Sequence, residues 1–150
     1  MPPRVLTLHQ KVPDVSEAEA VGPFAAAILR GSPEFMRLVR NDNPKIVFKS
    51  EEANKDDDRM MTPRLNEKVN TLAELVQSEF PTIKLRITEA WDDSTTHATT
   101  SRHLEGRAID MTASDRDAGK LGRLAGLAVV AGFDWVFFED KLHVHASVRR

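Results

Sequence analysis

Five histidines and a set of carboxylates are the residues of this 150-residue chain whose types and spacing can do chemistry. His103 and Asp110 lie in the run Ser101-Arg102-His103-Leu104-Glu105-Gly106-Arg107-Ala108-Ile109-Asp110, and Glu139, His143 and His145 follow about thirty residues later. Two histidines and a carboxylate can close on one zinc ion and leave a fourth position for water. Glu139 is then placed to take a proton from that water without being a ligand. The plainer reading is a solvated Glu139-Asp140-Lys141 turn flanked by ordinary surface histidines, and residue type and spacing leave both open. His9 lies without chemical neighbours near the start of the chain. His97 sits in a Ser/Thr-rich loop, either as a plain loop residue or as a group of the same cleft.

Whether these segments meet depends on the strands that carry them. Side chains alternate across a strand. His143, His145 and Ser147 therefore share one face, and Val144, Ala146 and Val148 share the other, which is the natural core face. On the earlier strand Ala108, Asp110 and Thr112 oppose Ile109, Met111 and Ala113. Residues 133–138 and 142–148 read as a hairpin about Asp140-Lys141, which brings Glu139 beside the histidine strand.

Residues 85–88 and 107–113 read as further strands. Thr62-Pro63 opens a helix whose stripe of Leu65, Val69, Leu72, Val76 and Phe80 stops at Pro81. Ser114 with Asp117 resembles a capping box for a second helix, which carries Leu121, Leu124, Ala125 and Ala128 and closes at Gly132. Ser32-Pro33 signals a short helix with Phe35, Leu38 and Val39. Residues 24–29 fit a strand or a helical turn. The expected class is α+β: a mixed or antiparallel sheet, two main helices packed on one side, and the zinc cleft on the other. Residues 1–23, rich in Pro, charge and small side chains, are expected to form an irregular arm before a single domain over 24–150.

Apolar residues make up 41% and charged residues 29%, with a net charge of −2. No basic stripe with interleaved aromatics occurs, which argues against nucleic acid as a partner. Without cysteine there are no disulfides, thiolate metal sites or cysteine nucleophiles. No stretch approaches the ~18 apolar residues of a membrane helix, and the first residues lack the apolar run of a signal peptide. The acidic residues cluster at Glu51, Glu52, Asp56, Asp57 and Asp58, and again at Glu89, Asp92 and Asp93. Such loops can supply oxygens to calcium, which takes about six to eight. A solvated acidic surface is the alternative.

The chain resembles the Hedgehog amino-terminal signalling domain from about Gly31 to Val148. The resemblance is densest over Leu85-Arg86-Ile87-Thr88-Glu89-Ala90-Trp91-Asp92-Asp93, His103-Leu104-Glu105-Gly106-Arg107-Ala108-Ile109-Asp110, Thr112-Ala113-Ser114-Asp115-Arg116-Asp117 and Ala131-Gly132-Phe133-Asp134-Trp135-Val136. It implies zinc on His103, Asp110 and His145, a base-like glutamate at Glu139, and cleft histidines at His97 and His143. It also implies calcium on Glu51, Glu52, Glu89 and Asp92 with Asp57 or Asp58. Ser94 stands where another acidic ligand is expected, so one calcium ion is favoured over two, with Asp93 as a substitute ligand. The amino-terminal cysteine and basic stretch of the animal members are lacking, so a bacterial or divergent member is expected.

The pattern Ser101-x-His103-x-x-Gly106-x-Ala108-x-Asp110, with Glu139 and His145, is also distantly similar to D-alanyl-D-alanine carboxypeptidases and dipeptidases. Together these resemblances lead to the expectation of a zinc metallopeptidase acting on peptidoglycan or small peptides, periplasmic or extracellular if so. In that reading Glu139 is the base, His97 an oxyanion donor and His143 a substrate-orienting group. The alternative is a non-catalytic signalling module that docks protein partners at the zinc cleft.

Overall fold

The apolar stripe expected over residues 63–80 forms the longest helix, and the sheet is built around it. A computed structural model describes residues 5–49, 56–93 and 100–150. The strands are β1 (Lys11–Val12), β2 (Val39–Arg40), β3 (Ile46–Phe48), β4 (Met60–Met61), β5 (Leu85–Glu89), β6 (Ala108–Ala113), β7 (Trp135–Phe137) and β8 (Val144–Ser147). The helices are α1 (Glu17–Val21), α2 (Pro63–Glu79) and α3 (Leu121–Ala131). The fold is α+β with a six-stranded mixed sheet in the order β1-β7-β8-β6-β5-β3, in which only β3 and β5 run parallel; β2 and β4 form a separate pair.

Thr62 caps α2 by accepting from the Leu65 N–H at 3.3 Å, and Pro63 occupies the first turn, where its missing N–H costs nothing. Leu65, Val69, Leu72, Ala73 and Val76 are buried against the sheet and α3. Each large aliphatic side chain so buried contributes about 1.5–3 kcal/mol. Gly132 ends α3 at φ 95°, its N–H reaching the Ala128 and Val129 carbonyls. The capping expected from Ser114 is rearranged. Asp117 caps a short turn over Ala118–Lys120 ahead of α3, while the Ser114 hydroxyl accepts from the Lys84 N–H. The helix signalled by Ser32-Pro33 is only one 3-10 turn, Phe35–Arg37, and residues 24–29 are neither strand nor helix.

The expected alternation holds on β6: Ile109 and Met111 enter the core with Val144 and Ala146 of β8, while Asp110 faces away. A register shift between Ile87 and Glu89 interrupts β5. Such a bulge re-aims the next side chain, and Glu89 pairs with Asp110 instead of following Ile87 into the core.

The arm expected to be irregular is ordered over much of its length. Leu6 is buried, and its backbone closes on Gly122, whose missing Cβ would lie 2.4 Å from the Leu6 carbonyl oxygen. β1 then adds to the free edge of β7, and α1 follows, capped by Ser16. The physical reason is close backbone approach at a glycine together with an unpaired strand edge, neither of which a hydropathy pattern displays.

Candidate functional site

Three histidines surround one aspartate. The 3-10 turn Arg102–Glu105 carries His103, the central strand β6 carries Asp110, and β8 with its preceding turn carries His145 and His143. Asp110 Oδ1 lies 3.2 Å from His103 Nε2, 3.1 Å from His145 Nδ1 and 3.8 Å from His143 Nε2. Glu139 contacts His143 Nε2. These side chains line a cleft of about 500 Å³ that also includes Glu17, Ser101, Arg102, Trp135 and Phe137.

The histidine nitrogens turned away from Asp110 are fixed. His103 Nδ1 donates to the Ala90 carbonyl at 2.9 Å, and His145 Nε2 is 2.6 Å from Glu17 Oε2. Such partners set the tautomer of metal-binding histidines and leave the inward nitrogen to the ion. Two ligand atoms on a tetrahedral ion with bonds of about 2.0–2.1 Å stand about 3.3–3.4 Å apart. The His103–Asp110 and His145–Asp110 separations, 3.2 and 3.1 Å, come close to that spacing. The donor set of two imidazoles and a carboxylate therefore fits zinc, and the inward atoms of His103, Asp110 and His145 all lie within 4.8 Å of one another.

The electrostatics follow from crowding. Burial opposes charge on His145, but Asp110 and Glu17 outweigh it and raise its pKa to about 10. His103 is raised in the same way, with Asp110 overcoming burial. Burial would lift the Asp110 carboxyl, yet the two histidines hold it far below the usual range. Burial raises Glu89 to about 8; His103 opposes this, while Asp110 and Asp92 add to it.

Of the residues expected to hold calcium, Glu51 and Glu52 lie outside the described residues, as do His97 and Ser94. Glu89 and Asp92 come together at the end of β5. Arg30 bridges Asp57 and Asp93, at 2.9 and 3.1 Å. Asp58 is buried in the adjacent turn. Sequence reasoning missed Glu17, which reaches the cleft from α1. It also missed the aromatic wall of Trp135 and Phe137, whose period-2 spacing on β7 was the available signal.

A family model for the Hedgehog amino-terminal signalling domain matches residues 2–147. The chain is 48% identical over 146 residues to the Tiggy-winkle hedgehog protein of Danio rerio, covering 96% of this chain and 35% of that protein. It is 48% identical over 153 residues to the Indian hedgehog protein of Gallus gallus, covering 99% of this chain and 37% of that one. It is 47% identical over 146 residues to Protein hedgehog of Drosophila hydei, covering 96% and 30%. The chain thus spans about a third of the length of these relatives.

These matches overturn the expectation of a peptidoglycan or peptide-hydrolysing zinc metallopeptidase, the reading on which the catalytic roles of Glu139, His97 and His143 rest. The family and the relatives are signalling and hedgehog proteins, not carboxypeptidases. Glu139 is engaged by His143, and the Arg102 guanidinium donates to the Thr100 and Gly22 carbonyls. No helix of the described residues is long and apolar enough to cross a membrane. By a match over nearly its whole length, the chain belongs to the Hedgehog amino-terminal signalling domain family.

Proposed function

We propose that this chain is a non-catalytic signalling module that holds zinc on His103, Asp110 and His145 and docks a protein partner at that cleft. The observation that carries the reading is the pinning of both ligand histidines, by Ala90 and Glu17, with their inward nitrogens on one carboxylate at the floor of a cleft walled by Trp135 and Phe137. Aromatic walls with a few fixed polar groups suit a protein contact. Zinc here is structural: it offsets the Asp110 charge and joins the turn carrying His103 to β6 and β8. Glu89 and Asp92, with Asp57, Asp58, Asp93, Glu51 and Glu52, form a calcium site in the same proposal. Support comes from Glu89, whose pKa is raised first by burial and then by Asp110 and Asp92. A divalent ion offsets carboxylate charge held in such a place.

The test is competition. The zinc-loaded chain, with calcium present, should displace the labelled signalling domain of the Danio rerio Sonic hedgehog protein, to which it is 48% identical, from cells that bind it. His145→Ala, or zinc removal by a chelator, should weaken displacement by at least about tenfold. Displacement that is indifferent to both would remove the zinc cleft from the docking surface.

A further inference from the structure

Asp110 belongs to a second constellation besides the one described. Its carboxylate, Glu139 and His143 each offer one ligand atom, and these too lie within 4.8 Å of one another. His143 is held by the turn that precedes it. Asp140 Oδ1 accepts from the backbone N–H groups of Leu142 and His143, at 2.7 and 3.0 Å, which fixes the turn. The same oxygen stands 3.2 Å from His143 Nδ1. Nε2 faces Glu139 Oε2 at 2.5 Å and Asp110 Oδ1 at 3.8 Å. All three cleft histidines turn one ring nitrogen towards Asp110. Three donors do not fully enclose an ion, and Glu139 is 42% exposed, so solvent completes the coordination.

We propose that the cleft takes a second divalent transition-metal ion on Asp110, Glu139 and His143, with Asp110 as the bridging carboxylate; this rests on the first site being the zinc site proposed above. One nitrogen and two carboxylate donors suit zinc, cobalt or manganese, and three ligands are too few for a calcium cage. Carboxylate-bridged ions sit about 3.5–4 Å apart, which the shared Asp110 permits. The ion takes the place of the proton held between His143 and Glu139. The second site is the weaker and more exposed of the two, so its occupancy follows the surrounding free metal concentration while the first stays filled.

Native mass spectrometry under a zinc titration, with calcium saturating, reads the count directly. The wild-type chain should bind two zinc ions, the second at least about tenfold more weakly than the first. Glu139→Gln should bind one, with the first affinity unchanged; its side chain is 42% exposed, and an unchanged melting temperature separates loss of the ion from loss of the fold. His103→Ala should lose the tight ion. A wild-type chain that stops at one zinc overturns the second site alone, as does a Glu139→Gln variant that still binds two. A wild-type chain with no tight zinc, or a His103→Ala variant that keeps it, overturns the first site and this one together.

Discussion

Residues 105–110 hold two carboxylates, Glu105 buried and Asp110 half-buried, that the protein closes in opposite ways. Glu105 is closed by the chain's own permanent cation. Arg107 reaches Glu105 Oε1 through Nη2 at 2.6 Å and donates to the Val21, Pro23 and Val148 carbonyls. Glu105 Oε2 accepts from the Ala25 N–H and from Arg150. Asp110, five residues on, has three histidines about it and, among the described residues, no arginine or lysine in its ion pairs. A guanidinium keeps its charge at every pH a protein survives, whereas an imidazole exchanges its proton for a metal. The first centre is a clamp that ties the N-terminal arm and the C-terminal residues to the domain. The second, in the function proposed above, takes a cation from outside. Two carboxylates on one short segment are thus divided between structure and binding by the type of base that faces them.

Breaking the clamp should have the largest effect. Arg107→Met leaves Glu105 buried and three carbonyls unanswered, and should lower unfolding free energy by about 3–5 kcal/mol in urea titration. The double variant Glu105→Gln/Arg107→Met should recover part of that loss, because the stranded charge is gone. A loss below about 1 kcal/mol in the single variant would mean that Arg107 is not the closing group.

The cleft should respond in affinity more than in stability. Glu17→Ala removes the carboxylate behind His145 without touching a proposed ligand. Zinc affinity, measured against a chromogenic chelator, should fall about 10–100-fold. In Arg107→Met, provided it folds, zinc affinity should stay near wild type. Equal zinc affinity in Glu17→Ala and wild type would leave the tautomer of His145 to other groups.

The contrast also marks what the sequence displays and what it hides. The stripe from Leu65 to Val76, the hairpin of β7 and β8, and the opposite facing of Ile109 and Asp110 follow from local periodicity, and they sufficed to bring His103, Asp110, His143 and His145 together. Glu17 was hidden because its position depends on Leu6 closing on Gly122 and on β1 finding the edge of β7. The bulge that turns Glu89 towards Asp110 has no residue signature in Arg86-Ile87-Thr88-Glu89, and two-residue strands such as β2 and β4 are too short to show a period. The peptidase expectation failed for another reason. Histidine, aspartate and glutamate around a metal ion are shared by sites that turn over and sites that do not, so residue type alone does not assign the reaction.

A third carboxylate sharpens the comparison at smaller scale. Asp134 is closed by an arginine, as Glu105 is, but nearer the surface: Arg64 Nε and Nη2 each donate to it at 2.9 Å, and the Arg149 N–H adds a third bond at 2.8 Å. Burial would raise its pKa, but these donors outweigh it and hold the carboxyl below the usual range. The Arg64 side chain is 38% exposed, so solvent screens the pair. Asp134→Asn should therefore lower unfolding free energy by only about 1–2 kcal/mol at neutral pH. The sign of its pH dependence follows from the depressed pKa. The contribution is fully present above the unfolded aspartate value of about 4, and it is lost as pH falls through the lower folded value. Urea titrations of both chains at stepwise lower pH should converge. A gap that widened towards acid would show that the Asp134 charge is not what Arg64 holds.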